Sequence, residues 1–249
     1  GVSQTVAGEA ASLTGALQGA FTPAITTAYG AGEYERFRTM AFWACKAGTL
    51  LTLMFALPMA LEIDELLVVW LKNPPPMAAP LCICMLTFIA LEKLTWGHIT
   101  AVNSIGKIAE FQILRGLLRC LVIPFALIPS CMNWGAVATA LALPISVIIV
   151  DLGDVWMARK IAGMSPKYWI SLIVLPLGII ALLSAGTGCS VRFLMVQSFL
   201  RIVCTTIATL AVLLPLSWVL LLSQDERDFV RLKFCSAYNV FCGRRLRTV

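Results

Sequence analysis

Apolar stretches long enough to cross a bilayer follow one another along almost the whole chain, separated by short polar connections. Lipid offers no hydrogen bonds to backbone groups, so only helices and closed barrels can span it. Barrel strands would read as short alternating segments. Here the apolar runs are continuous, and a helical span needs about 20 such residues. Composition agrees: of 249 residues, 59% are hydrophobic and 13% charged, against about 25% charged in a soluble domain. The chain reads as an all-α polytopic membrane protein.

The pattern predicts about seven spans, over 4–28, 40–61, 75–102, 108–130, 133–157, 168–187 and 193–222, followed by a basic tail over 223–249. The first is the least apolar. Its Ala, Gly, Ser and Thr suit close helix packing. With seven crossings, alternate connections carry unequal basic charge. Arg36, Arg38, Lys107, Arg159, Lys160, Lys167 and the tail fall on one side, and Lys72 and Arg192 on the other. The positive-inside rule then places the tail in the cytoplasm and Gly1 outside. The first residue is Gly and no basic leader precedes the first apolar stretch, which reads as a chain lacking an N-terminal portion. Residues 62–72 are too short to span and read as an interfacial amphipathic helix, with Trp70 at headgroup level. Pro58, Pro124, Pro144, Pro176 and Pro215 lie inside spans as expected kinks.

The net charge of +6 is spread over helix ends and the tail, which is no nucleic-acid signature. Nine cysteines fall mostly in apolar runs, where Cys acts as a small hydrophobe. A Cys131–Cys189 disulfide between short connections is one open reading. No metal-ligand spacing, phosphate-cradling Gly loop or Ser-His-Asp arrangement is present. No metal, cofactor or enzymatic activity is expected.

Candidate functional residues are therefore the ionisable ones inside spans, each costing roughly 2.5–3.5 kcal/mol at a helix centre. Glu92 and Lys93 precede the connection at 103–107, and Arg115 and Arg119 follow it at comparable depth. Arg115 and Arg119, spaced i, i+4, share a helix face. They suit bidentate phosphate binding; an internal Glu92–Arg119 salt bridge is the equal alternative. Lys46 and Arg201 read as cavity-lining cations or as snorkelling side chains. Asp151 and Asp154, spaced i, i+3, either carry a coupling cation (H+ or Na+) or pair with Arg159. Trp96 and His98 read as interface anchors.

Four stretches give the sequence a likeness. Gly1–Gly8 leads to a span closing with Phe21-Thr-Pro-Ala-Ile-Thr-Thr-Ala-Tyr-Gly30 and Gly32-Glu-Tyr-Glu-Arg-Phe37. Then come Leu67-Val-Val-Trp-Leu-Lys-Asn-Pro-Pro75, Ala101–Gln112 and Asp225-Glu-Arg-Asp-Phe229. In their order and spacing the chain resembles the C-terminal half of bacterial polysaccharide flippases of the multidrug/oligosaccharidyl-lipid/polysaccharide exporter superfamily. None of the four is a catalytic signature. The resemblance implies one bundle of a MATE-like carrier in the bacterial inner membrane. It implies alternating access for an undecaprenyl-diphosphate-linked oligosaccharide, with membrane lipids and a missing N-terminal half as partners. On that reading Arg115, Arg119, Lys46 and Arg201 line a cationic cavity for the diphosphate. Glu92, Lys93, Asp151 and Asp154 serve as coupling or ion-pair groups. Alternatives are a multidrug or organic-cation exporter of the same fold and a membrane-embedded polysaccharide biosynthesis enzyme. The former should have an acidic, aromatic cavity, and the latter needs a larger extramembrane site than these connections provide.

Overall fold

A computed structural model of the chain describes residues 2–222, 224, 226 and 227; in the first helix the side chains of 2, 3, 6, 7, 9–14 and 16 lie outside that description. Eight helices follow one another, and no strand occurs among the described residues: α1 (Val2–Gly30), α2 (Tyr34–Leu61), α3 (Ile63–Leu71), α4 (Ala78–Ile105), α5 (Ile108–Cys131), α6 (Ala136–Ala162), α7 (Pro166–Leu194) and α8 (Phe199–Leu221). All except α1 and α3 are long and apolar enough to cross a membrane. That makes six such helices where the sequence suggests about seven spans. The difference is α1. Its 29 residues extend about 43 Å, which is ample length, but its small and polar residues keep it below the apolarity of the others. The tail expected over 223–249 lies, apart from Gln224, Glu226 and Arg227, outside the described residues.

Prolines shape the spans. A proline at position i removes a hydrogen bond to residue i−4 and crowds that carbonyl. The breaks in α5, after Cys120, and in α6, after Ala140, fall four residues before Pro124 and Pro144. In α7 the helix widens to a π turn over Ile170–Val174 ahead of Pro176. The break in α4 has no proline: Lys93–Thr95 tighten to a 3₁₀ turn. Of the segment 62–72 expected to be a short helix, Ile63–Leu71 is helical and Glu62 precedes it. Ile63 and Leu67 are buried, and Val68, Val69 and Trp70 are exposed. Asn73-Pro74-Pro75-Pro76 then prevents its continuation.

The middle of the bundle is α2, which packs on α1, α4, α7 and α8. Half of its most apolar stretch is buried, against 6% for α5, which leans on the outside of α6. One apolar cluster joins α1, α2, α4 and α6 through Ile25, Phe37, Ala41, Ile99 and Met157. A second joins α2, α6, α7 and α8 through Cys45, Val155, Ile173, Leu177 and Leu213. Gly97 sets the α2–α4 distance: a Cβ there would overlap the Ala41 carbonyl. Large apolar side chains point outward from α5, α7 and α8, among them Ile113, Leu117, Leu182, Phe199 and Ile207. An outer surface of that kind fits hydrocarbon, not water. The protein is thus an all-helical, membrane-embedded bundle.

Candidate functional site

The 3₁₀ turn of α4 frees backbone carbonyls and redirects the side chains around it. The Trp169 indole donates to the Leu94 carbonyl at 3.0 Å, and the Thr95 hydroxyl donates to Asp151 Oδ1 at 2.6 Å. Beside them the helix faces foreseen in the sequence meet. Arg119 Nη2 donates to Glu92 Oε1 at 2.7 Å, and Arg115 Nη2 lies 3.9 Å from the same oxygen. Arg115 Nε sits 3.3 Å from Asp154 Oδ2. Neither of those two atoms makes a well-formed hydrogen bond among the described residues. Lys93 is 9% exposed. Glu92, Asp151, Asp154, Arg115 and Arg119 thus form one group between α4, α5 and α6, two guanidinium groups among three carboxylates, while Lys93, next to Glu92 in the chain, makes no ion pair with them among the described residues. The Glu92–Arg119 salt bridge of the sequence analysis is present. Asp154 faces Arg115, whereas Arg159, its expected partner, is exposed.

The other two cations are elsewhere. Lys46 Nζ donates to the Leu221 carbonyl at 3.0 Å and to Glu226 Oε1 and Oε2 at 2.9 and 3.0 Å. Arg201 donates to Glu62 Oε2 through Nη2 at 2.8 Å and Nε at 3.2 Å. Its Nη2 also lies 3.5 Å from Glu65. The Thr205 hydroxyl donates to the second Glu62 oxygen at 2.8 Å. Glu62, read from the sequence as part of an interfacial segment, is 1% exposed. Each of the four cations named from the sequence therefore has a carboxylate beside it, as a low-dielectric interior demands. The structure does not gather them on one cavity wall: Arg115 and Arg119 share a cluster, while Lys46 and Arg201 each belong to a separate one.

His98 was expected at an interface, and it is fully buried. The close α2–α4 approach at Gly97 brings it against α2. Its Nδ1 lies 3.4 Å from Cys45 Sγ, and its ring packs edge-on against Phe42 and Trp169. Cys131 and Cys189 are both free thiols. No cluster of His, Cys, Asp or Glu able to hold a metal occurs among the described residues.

One uncovered region is polar without being charged. Gln18, Gly19, Thr22 and Thr26 of α1 face Trp96, Ile99, Thr100, Asn103 and Ser104 of α4 across a groove of about 520 Å³. The two sides touch through Thr26 Oγ1 and Ser104 Oγ at 3.1 Å. Thr22 and Thr100 spend their protons on the carbonyls four residues earlier, and Thr26 and Ser104 divide theirs between such carbonyls and each other. Their oxygens remain able to accept. The Gln18 and Asn103 amides make no hydrogen bond among the described residues. Trp96 presents a half-buried indole face. By helical rise, Gln18 lies about 18 Å from the end of α1 and Trp96 about 14 Å from the end of α4. The groove thus runs from one end of the bundle toward mid-membrane. Sequence reasoning took the small and polar residues of α1 as packing and missed this site. The available signal was the four-residue spacing of Gln18, Thr22 and Thr26 repeated in Trp96, Thr100 and Ser104. No family model, no curated protein and no solved structure matches this chain.

Proposed function

We propose that this chain is one lobe of a membrane carrier for a lipid-linked oligosaccharide of the undecaprenyl-diphosphate type. The observation that carries the reading is the groove between α1 and α4. Amides and hydroxyls without full partners are unfavourable against lipid tails, so this face belongs against water, a polar ligand or another protein. Acceptor hydroxyls, two amides and an indole face match a sugar, whose hydroxyls donate and accept and whose ring stacks on an aromatic. Among the described residues the groove contains no carboxylate, which disfavours the organic-cation exporter.

The intramembrane cations take a different part in this reading from the one expected of them. Paired with acids, they offer a diphosphate less net charge than an open cationic lining. A polyanion reaching Arg119, whose side chain is 51% exposed, would have to share it with Glu92. The groove supplies the glycan contacts, and Arg115 and Arg119 supply a phosphate contact that exchanges with Glu92 and Asp154.

The test is binding by the purified chain of undecaprenyl diphosphate with and without an attached oligosaccharide. The glycan should strengthen binding, and Thr100→Val with Asn103→Leu should remove that gain while leaving affinity for the sugar-free lipid unchanged. Equal affinity for both lipids in the parent chain would end the carrier reading.

A further inference from the structure

Between α1, α2 and the end of α8 lies a second pocket, of about 200 Å³, walled by Phe21, Trp43, Ala47, Leu50 and Leu222. Its walls are carbon, and its one polar feature is the Lys46–Glu226 pair. Lys46 is about 18 Å along α2 from Tyr34 and 8% exposed, so it needs an anion at all times. The anion it has comes from beyond the last span. Glu226 lies five residues past the end of α8 and brings both carboxylate oxygens to within 3.0 Å of the ammonium. The Leu221 carbonyl takes the remaining contact.

A monoanionic carboxylate at the mouth of a hydrocarbon-lined pocket is also what a fatty acid presents. We propose that this pocket binds a long-chain carboxylate, whose head takes the place of Glu226 on Lys46 and whose chain lies among Phe21, Trp43 and Leu50. Exchange of one carboxylate for another avoids the large cost of leaving Lys46 unpaired in the bundle. A single ammonium calls for a single negative charge, which favours this head over a polyanion. When the fatty acid is bound, the Glu226 carboxylate leaves Lys46. The end of the last span thereby becomes responsive to the amphiphile. The site is separate from the glycan groove and does not depend on the carrier reading.

The experiment counts bound amphiphile by native mass spectrometry on the full chain in neutral detergent. The probes are oleate, oleyl alcohol and the monoanionic phosphodiester lysophosphatidylglycerol. Oleate should bind about tenfold more tightly than the alcohol, a ratio set by one ion pair. Glu226→Gln removes the internal competitor and should tighten oleate further. Because that variant leaves Lys46 without its anion, the double variant Lys46→Met with Glu226→Gln secures the test. It should bind the alcohol like the parent and lose the preference for oleate. Equal binding of oleate and oleyl alcohol by the parent would overturn the site. So would an oleate preference that survives the double variant. Tighter binding of lysophosphatidylglycerol than of oleate would overturn the carboxylate assignment.

Discussion

At the residue scale, the dominant cost is that of an unpaired charge away from water, and the bundle meets it with neighbours distant in sequence. Glu62 and Arg201 are 139 positions apart and pair with hardly any exposure. Removing one member strands the other, which costs about 3–5 kcal/mol, whereas replacing both with apolar groups is often neutral. Arg201→Ala should therefore lower the thermal unfolding temperature in detergent sharply. Arg201→Met combined with Glu62→Leu should restore most of the loss. Equal loss in the single and double variants would show that packing, not charge, is what Arg201 contributes. This pair was not legible in the sequence. Glu62 stands next to Asp64 and Glu65 in an evidently polar connection, and nothing local marks it as the one that turns inward. Glu92 with Arg119 was legible, because a short connection at 103–107 forces equal depths on residues either side of it.

At the element scale, α4 is bent by its neighbours and not by its own composition. A 3₁₀ turn at Lys93–Thr95 without proline persists because Trp169 takes up the Leu94 carbonyl and Thr95 bonds Asp151. Its other condition is contact with α2 at Gly97, whose amide also donates to Cys45 Sγ at 3.2 Å. Gly97→Ala should separate the two helices and destabilise the fold by about 1–3 kcal/mol, the usual effect of overpacking. Retention of the parent unfolding temperature would mean that α2 and α4 have room to spare. The proline-made breaks in α5 and α6 were readable in position, since the rule that locates them is local. This one was not, because it depends on three other helices. For α3, the same local reasoning gives the helix and its end at the prolines, and leaves its membrane placement to be measured. Trp70 and its exposed neighbours Val68 and Val69 should sit at the lipid interface. In a variant retaining Trp70 as its only tryptophan, lipids brominated near the headgroup should quench fluorescence more than lipids brominated at the chain ends. The reverse order would place α3 deep in the membrane or off it.

At the scale of the molecule, what the sequence left open is the status of α1. By apolarity it is the exception, and by packing it belongs, since Ile25 and Ala28 are buried in the same cluster as Phe37 and Ala41 of α2. A helix that joins the bundle on one face and presents Gln18, Thr22 and Thr26 on another has no reason to be as greasy as its neighbours, because part of its surface is not offered to lipid. Its length still exceeds the roughly 30 Å of hydrocarbon. If α1 crosses the membrane beside α2, the alternation of basic connections read from seven crossings is the topology to expect. In a background without native cysteines, Thr5→Cys and Glu33→Cys should then be labelled by a membrane-impermeant maleimide from opposite sides of sealed, oriented vesicles. Position 33 should react from the side that carries Lys107 and Lys160. Labelling of both positions from one side would remove α1 from the membrane. The polar groove would then have to be a feature of the surface instead of a path through the bundle.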